Sequence, residues 1–270
     1  MASKNTTRST PPALLALGRR ALPGEIVIQG RQYVKRKVFK NDFFAVTALY
    51  EGDAGRVVLK LGREASFFCM PLSCVGRFLA AKEQAALQSL HDLEGIPRYM
   101  GRWGTTGIVR EYIEGRTLKK GEPVPDDFHR RLRSLVDGLH ARGMAYVDLE
   151  KCENVLLGDD GRPYLFDFQI SWYLPARWGG ELWLARLLRR WLQAGDRYHL
   201  LKLQRRTRPD QMTEELYHAS YGKPWYIRLQ GTLTRPLTLL RRVILRHVDP
   251  RRRIGERGRV NDEQTIGMTY

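Results

Sequence analysis

Apolar and polar positions alternate from Glu25 to Leu61, where EIVIQ, QYVKRKVF, FFAVTALYE and RVVLKL each read as a strand. Lys40-Asn41-Asp42 and Gly52-Asp53-Ala54-Gly55 supply turns between them, so this segment predicts an antiparallel meander. At Leu72 the period lengthens, and Leu72, Val75, Leu79, Leu87 and Leu90 fall on one helical stripe. Strand-like GIVREYI follows at Gly107 to Ile113, then Gly115 and a polar link containing Pro123 and Pro125. Asp126 and Asp127 can cap a helix that carries Phe128, Leu132, Leu135 and Leu139 and stops at Gly143. Two short strands, NVLL (154–157) and PYLF (163–166), are joined by Gly158-Asp159-Asp160-Gly161, a hairpin signal. From Ser171 to about His247 the pattern is mainly helical, and RRRIGERGRV then reads as a solvated basic tail.

This order predicts an α+β chain in two lobes. Residues 1–24 form a loosely ordered arm, 25–113 a lobe of antiparallel sheet plus one helix, 114–250 a mostly helical lobe, and 251–270 a basic tail. A length of 270 residues with 43% apolar content buries a real core, which excludes a disulfide miniprotein, a collagen-like fibre and a wholly disordered chain. The 3 cysteines (Cys69, Cys74, Cys152) form no CxxC pair, which fits a reducing, cytoplasmic setting rather than a disulfide framework or zinc ribbon. No run of apolar residues is long enough to span a bilayer, and the arginines after the short apolar patch near the start are in the wrong order for a secretory signal. The net charge of +17 is concentrated in the last third and attracts anionic partners without choosing among them.

Lys60 ends VVLKL at the edge of a buried sheet and needs an anionic partner. Glu83 steps in register with Val75, Leu79 and Leu87 along the apolar stripe of the next helix. An inward carboxylate is costly unless paired, and Lys60 is the obvious partner; the alternative is a place at the stripe's edge, in reach of solvent. The segment Tyr146-Val147-Asp148-Leu149-Glu150-Lys151-Cys152-Glu153-Asn154 follows the helix that stops at Gly143, and Phe166-Asp167-Phe168-Gln169 ends the second short strand. The hairpin can bring Asn154 and Asp167 to one end as hard oxygen ligands, which suits Mg2+, an ion that keeps phosphates and waters in its remaining positions. Asp148 is then left to accept a proton.

Over roughly residues 33 to 170, VVLK, KEQAALQSL, REYIEG, VDLEKCENVLL and FDFQ, in that order, resemble the protein-kinase-like superfamily. The resemblance implies a bilobal kinase-like fold and an ATP- and Mg2+-dependent phosphotransferase. It implies that Lys60 holds the α and β phosphates and that Glu83 orients it. Glu111 and Ile113 would offer backbone groups to adenine, Leu118 would lie at the mouth of the cleft, and Asn41 would belong to the turn over the phosphates. Asp148 would be the base for the attacking hydroxyl, Lys151 a contact to the γ phosphate, and Asn154 and Asp167 the metal ligands. The acceptor would be a hydroxyl of a protein serine or threonine, or of a glycolipid sugar.

The departures from the family pattern carry their own expectations. Lys40-Asn41-Asp42-Phe43-Phe44-Ala45 stands where a glycine-rich loop would be, so a bulkier turn covers the phosphates. Arg110 replaces an apolar gatekeeper, which makes the pocket behind the adenine closed or polar. Asp148 and Asn154 are separated by one residue more than usual, as though Glu150 were inserted, and a bulge is expected to absorb it. Val147 replaces the usual arginine, Gln169 replaces a glycine and should stiffen the backbone, and no activation-segment APE follows. These features point to the compact atypical branch, which includes lipopolysaccharide kinases, RIO-type kinases and aminoglycoside phosphotransferases. Within that branch they point to the bacterial lipopolysaccharide-kinase-like or small Ser/Thr-kinase-like group. A pseudokinase that retains the fold as an interaction module is the rival reading.

The stretch from Arg177 to Gln193 is a basic amphipathic helix with two open readings: adsorption to an anionic membrane surface at the inner membrane face, or a core helix with snorkelling arginines. Leu237 to Val248 carries the same two readings. Asp196 is either the anchor of the catalytic loop or a helix N-cap. Nucleic acid is a minor reading, because several of the aromatics near the basic residues fall at core positions. His129 and His140 lack a second ligand at metal spacing and are expected to be structural, and Cys152 lacks the partners of a nucleophile.

Overall fold

The computed structural model of the chain describes residues 15–66, 72–119, 121–175 and 179–222. Strands β1 (Glu25–Ile28), β2 (Arg31–Asn41), β3 (Ala45–Gly52), β4 (Gly55–Gly62), β5 (Tyr99–Trp103) and β6 (Gly107–Glu111) form an antiparallel sheet in the order β1-β2-β3-β4-β6-β5. The meander is as the alternation predicts. β4 is buried from Val57 to Gly62, as its nearly unbroken apolar run requires of an inner strand, whereas β2 exposes most of its lysines and arginines to solvent. One face of the sheet holds a core of Ile26, Tyr33, Val46, Tyr50, Leu59 and Val109.

The other face receives α1 (Ser73–Ser89), with Glu83, Ala86 and Leu87 buried. These helical residues and Ile108 of β6 belong to a second core. It continues through Phe128, Leu132 and Leu139 of α2 (Phe128–Ala141) and into a small sheet of β7 (Gly115–Thr117), β8 (Val155–Gly158) and β9 (Pro163–Leu165). α3 (Trp183–Thr207) closes that core with Leu200 and Leu203, and α4 (Glu214–Ala219) follows with Thr213 as its N-cap. The architecture is the expected α+β arrangement, an antiparallel sheet with one helix followed by a mostly helical part. No described helix is long and apolar enough to cross a membrane.

Several boundaries differ from expectation. Residues 15–24, expected as part of a loosely ordered arm, make defined contacts. The Ala16 amide donates to the Asp42 carbonyl at 2.8 Å, and the Ala16 carbonyl accepts from Glu64 and Ala65 at 2.9 and 3.0 Å, so the end of the arm is stitched between two loops. Leu17 is buried in the sheet core, which is the apolar gain that orders it. β5 falls in a stretch for which the pattern predicts no element, and β7 at the start of the expected polar link. β5 is half-buried and broken by an irregular register at Gly101, and β7 exists only because it pairs with β8. Asp127 sits at the N-cap of α2, but its carboxylate takes Arg131 at 2.5 Å rather than a backbone amide. The expected tail 251–270 and the segment Leu237–Val248 lie outside the described residues.

Candidate active site

Lys60 of β4 and Ile108 of β6 are register partners, so both side chains project from the sheet face that α1 covers. There the Lys60 ammonium bridges two carboxylates, Glu83 Oε2 at 2.9 Å and Asp167 Oδ1 at 2.8 Å. Glu83 faces inward on α1 with 2% of its side chain exposed, but the buried face runs through Gly76, Ala80, Glu83 and Leu87, and Val75 of the expected stripe is exposed. Burial pulls the Lys60 ammonium down, but Glu83 and Asp167 outweigh it and hold the group above its ordinary value, firmly charged. Asp167 is pushed up by burial and pulled below the usual carboxylate range by Lys60, while burial pushes Glu83 up against Lys60's opposition. One ammonium thus serves a fully enclosed carboxylate and one that is a third exposed, and the second is the one free to exchange partners.

Asp148 lies in the loop that leads into the 3-10 turn at Cys152–Asn154. Its Oδ2 accepts from Lys151 Nζ at 2.6 Å and Asn154 Nδ2 at 2.7 Å, and its backbone carbonyl accepts from the same amide nitrogen at 3.1 Å. Both acceptors belong to Asp148, so the Asn154 amide orientation is fixed by chemistry: its nitrogen is spent and its oxygen is left as a ligand. Among the described residues, Oδ1 of Asp148 has no hydrogen-bond donor. The additional residue in this loop is absorbed at Glu150, whose carboxylate swings out to Lys202 of α3 at 3.0 Å, and a 3-10 turn at Cys152–Asn154 brings Asn154 back.

Two devices hold the loop. The Tyr146 hydroxyl donates to the Phe166 carbonyl and lies 3.5 Å from the Asn154 carbonyl, stapling the chain next to both expected metal ligands. The ladder pairs Val155 with Leu165, so its next rung sets Asn154 opposite Phe166, the residue before Asp167. Asp196, midway along α3 and with a fully buried side chain, accepts from the Tyr146 and Val147 amides at 2.8 Å each and meets His140 Nε2 at 3.0 Å. It is the loop anchor and not an N-cap. Val147 and Asp167 take positive φ angles of 71° and 72°. Asp tolerates that region and a β-branched residue does not, so the Asp196 clamp is what sustains Val147 there. Gln169 has no positive φ, and glycine's freedom is not required at its position. Phe168 is wholly buried and packs edge-on against Tyr146 at 5.2 Å.

The remaining expected residues fall less uniformly. Neither backbone group of Ile113 has a hydrogen-bond partner among the described residues, leaving both for a ligand edge. Glu111 spends its amide on the Arg98 carbonyl at 2.9 Å and its carboxylate on the Arg98 guanidinium, so only its carbonyl faces the cleft. Leu118, expected at the mouth of the cleft, is 1% exposed in the second core, because β7 pairs with β8 and draws the following residue beneath it. Asn41 is exposed at the open end of β2 and makes no hydrogen bond to the Lys60 cluster. In the turn beside it, Asp42 Oδ1 accepts from the amides of Phe44 and Ala45 at 2.9 and 3.0 Å, taking for itself donors that a phosphate would use. Lys40 balances that carboxylate at 2.8 Å.

Arg110 is a second cation at the site. It shares the inward face of β6 with Ile108, its guanidinium lies over the Phe166 ring at 5.1 Å, and Glu83 and Asp167 both act on it. Its identity is plain in the sequence, and its direction follows from the strand parity it shares with Ile108. Among the described residues no three His, Cys, Asp or Glu side chains could hold a metal ion, so a metal here would rely on Asn154, Asp167 and non-protein oxygens. Two hard oxygens beside a charged lysine fit Mg2+. A concavity of about 250 Å3 between α2 and β9 shares none of these residues, and its Arg131 and Arg162 are engaged by Asp127 and by Glu94.

An inner lysine paired to a helix glutamate, a clamped loop carrying Asp and Asn, and an Asp beyond the hairpin are the positions on which the resemblance to protein kinases rests. Solved structures similar to this chain include the Rio2 kinase of Chaetomium thermophilum in an ADP/Mg2+-phosphoaspartate complex (17% identity, TM-score 0.49) and the BubR1 kinase domain (15% identity, TM-score 0.47). The first match covers 74% of this chain and 66% of the Rio2 chain, the second 71% and 66%. No family model and no curated protein matches the sequence.

Proposed function

We propose that the protein is a Mg2+-dependent phosphotransferase that moves the γ phosphate of a nucleoside triphosphate, ATP in the resemblance, to a hydroxyl acceptor on a protein or a glycolipid sugar. The observation that carries this reading is the Lys60 ammonium held between Glu83 and Asp167, together with an Asp148 carboxylate that spends only Oδ2 on the described residues. Glu83 fixes the ammonium where the α and β phosphates would lie. Asp167, the more exposed partner of Lys60, and the Asn154 side-chain oxygen would hold the ion. Bound Mg2+ supplies charge neutralisation to the transferring phosphoryl group. Asp148 Oδ1 accepts the proton of the acceptor hydroxyl as its oxygen bonds to phosphorus and the bond to the departing diphosphate breaks. Lys151, now on Oδ2, is within a side-chain rotation of the γ phosphate. Positioning and electrostatics account for most of the catalysis in such a reaction.

Binding is tested by thermal unfolding with and without nucleotide and Mg2+. A ligand at a hundredfold its Kd stabilises by about 2.7 kcal/mol, and Asp167→Ala should abolish the Mg2+-dependent part. The Asp42-filled turn favours a second reading, a scaffold that does not turn over nucleotide; binding in that assay without any phosphate release would select it.

The first turns of α3 support peripheral contact with an anionic membrane surface. Trp183, Leu184, Leu188 and Trp191 are 75%, 61%, 37% and 41% exposed on one arc, flanked by exposed Arg186 and Arg190. Farther along, beyond Gln193, the same helix buries Asp196, Leu200 and Leu203. Salt-sensitive cosedimentation with phosphatidylglycerol vesicles, lost in Trp183→Ser/Trp191→Ser, is the expected result; no binding rejects the contact.

A further inference from the structure

The cation at the cleft end of β6 has no task in the reading above. Arg110 lies opposite Val58 and Tyr99 in the sheet register, on the face turned to α1. Its guanidinium rests over Phe166, and one N–H, from Nη1, donates to the Glu111 carbonyl at 3.3 Å. It makes no other hydrogen bond to the described residues. An arginine presents five N–H donors in a rigid fork, and a buried structural arginine ordinarily spends them in pairs on a carboxylate. The two carboxylates near enough to attract it, Glu83 and Asp167, are both engaged by Lys60. Most of the fork is therefore unspent among the described residues, on a half-buried side chain next to Glu111, whose backbone the phosphotransferase reading sets against the base.

The edge this fork accepts can be read from donors and acceptors. The Glu111 carbonyl is the acceptor that an adenine amino group would need, and Arg110 already donates to it. A 6-amino purine would meet N–H groups with its own N–H. A 6-oxo purine presents O6 and N7, two acceptors at the spacing a guanidinium spans, and this is the commonest way proteins read a guanine edge. Lys60, bridging to Asp167, is the cation placed for the phosphates, which leaves Arg110 for the base.

We propose that Arg110 is a specificity-determining residue that selects a 6-oxopurine nucleoside triphosphate, of the guanosine or inosine kind, over the 6-aminopurine of ATP. The inference rests on the phosphotransferase reading and refines its donor substrate.

The test is a calorimetric titration of the full chain with GTP, ITP and ATP, each with Mg2+. GTP and ITP are expected to bind at least tenfold more tightly than ATP, the scale of discrimination a bidentate pair confers. ITP lacks the 2-amino group of GTP, so its tight binding assigns the preference to the O6 edge. Arg110→Leu should bring the three nucleotides within about twofold by weakening GTP and ITP, and Arg110→Lys, which keeps the charge without the fork, should recover only part of the preference. The wild-type comparison needs no variant to fold. ATP binding as tightly as GTP, or ITP behaving like ATP, overturns the base assignment and leaves the phosphotransferase reading standing. Failure of all three to bind overturns both.

Discussion

The Asp196 carboxylate accepts the Val147 amide at 2.8 Å and so holds a β-branched residue at φ 71° directly before Asp148. With its other oxygen taking the Tyr146 amide and His140, this one buried side chain on α3 sets the position of the loop that carries Asp148, the base in the proposed reaction. Asp196→Ala would leave two buried amides and an imidazole without acceptors. At about 1–3 kcal/mol for each unsatisfied group, a loss of about 3 kcal/mol or more is expected in urea denaturation. A loss under about 1 kcal/mol would show that the loop is held by other means.

Val147 itself carries strain. A non-glycine residue in the left-handed region costs about 1–2 kcal/mol, and β-branching adds to it. Asn enters that region more easily, so Val147→Asn should raise the midpoint of unfolding, by about 1 kcal/mol before the loss of half-buried apolar surface is deducted. A clear destabilisation would mean that the valine side chain is needed for packing.

The Lys60 and Glu83 pair is a case where the double variant should be milder than the single one. Lys60→Met leaves Glu83, 2% exposed, as an unpaired charge, and breaking such a pair costs about 3–5 kcal/mol. Adding Glu83→Leu removes the orphaned charge, and most of that loss should return. Additive losses in a double-mutant cycle would show that the pair is not coupled.

Acid should weaken the fold through His129. Burial, together with Arg208 and Arg133, pushes its imidazole down from 6.5 to about 4, and its Nε2 meets Thr207 Oγ1 at 2.7 Å. The unfolded chain therefore takes up this proton first, so the stabilisation is complete above about pH 6.5 and is lost as pH falls toward 4. At about 1.4 kcal/mol per unit the full effect is about 3 kcal/mol. His199, also pushed down by burial, adds to the slope. Denaturation midpoints between pH 7 and 4 should fall less steeply in His129→Gln, and equal slopes would contradict the assignment.

What the sequence made legible follows from how local each signal is. Glu83 was readable from its step to Leu87 on one helix face, although the same step taken back to Val75 reaches an exposed residue, and Lys60 because its strand is apolar on both sides. Asn154 and Asp167 were placed by a hairpin whose turn residues are explicit. Leu118 was misplaced because its direction depends on β7, three residues that are a strand only through pairing with β8. Asp196 stayed ambiguous because α3 carries an exposed apolar face over its first turns and a buried one later, and periodicity alone does not say which face meets the loop. The ring contact of Arg110 with Phe166 joins residues far apart in the chain, which no local pattern reveals.

The central claim is that the Lys60, Asp148, Asn154 and Asp167 constellation transfers phosphate. Incubating the purified chain with γ-labelled GTP and ATP and Mg2+, and following label into protein or free phosphate, tests it most directly. The wild type should release or transfer label, and Asp148→Ala should retain nucleotide binding while losing turnover by a factor of about 10² or more. No turnover by the wild type, or equal turnover by Asp148→Ala, would contradict the account.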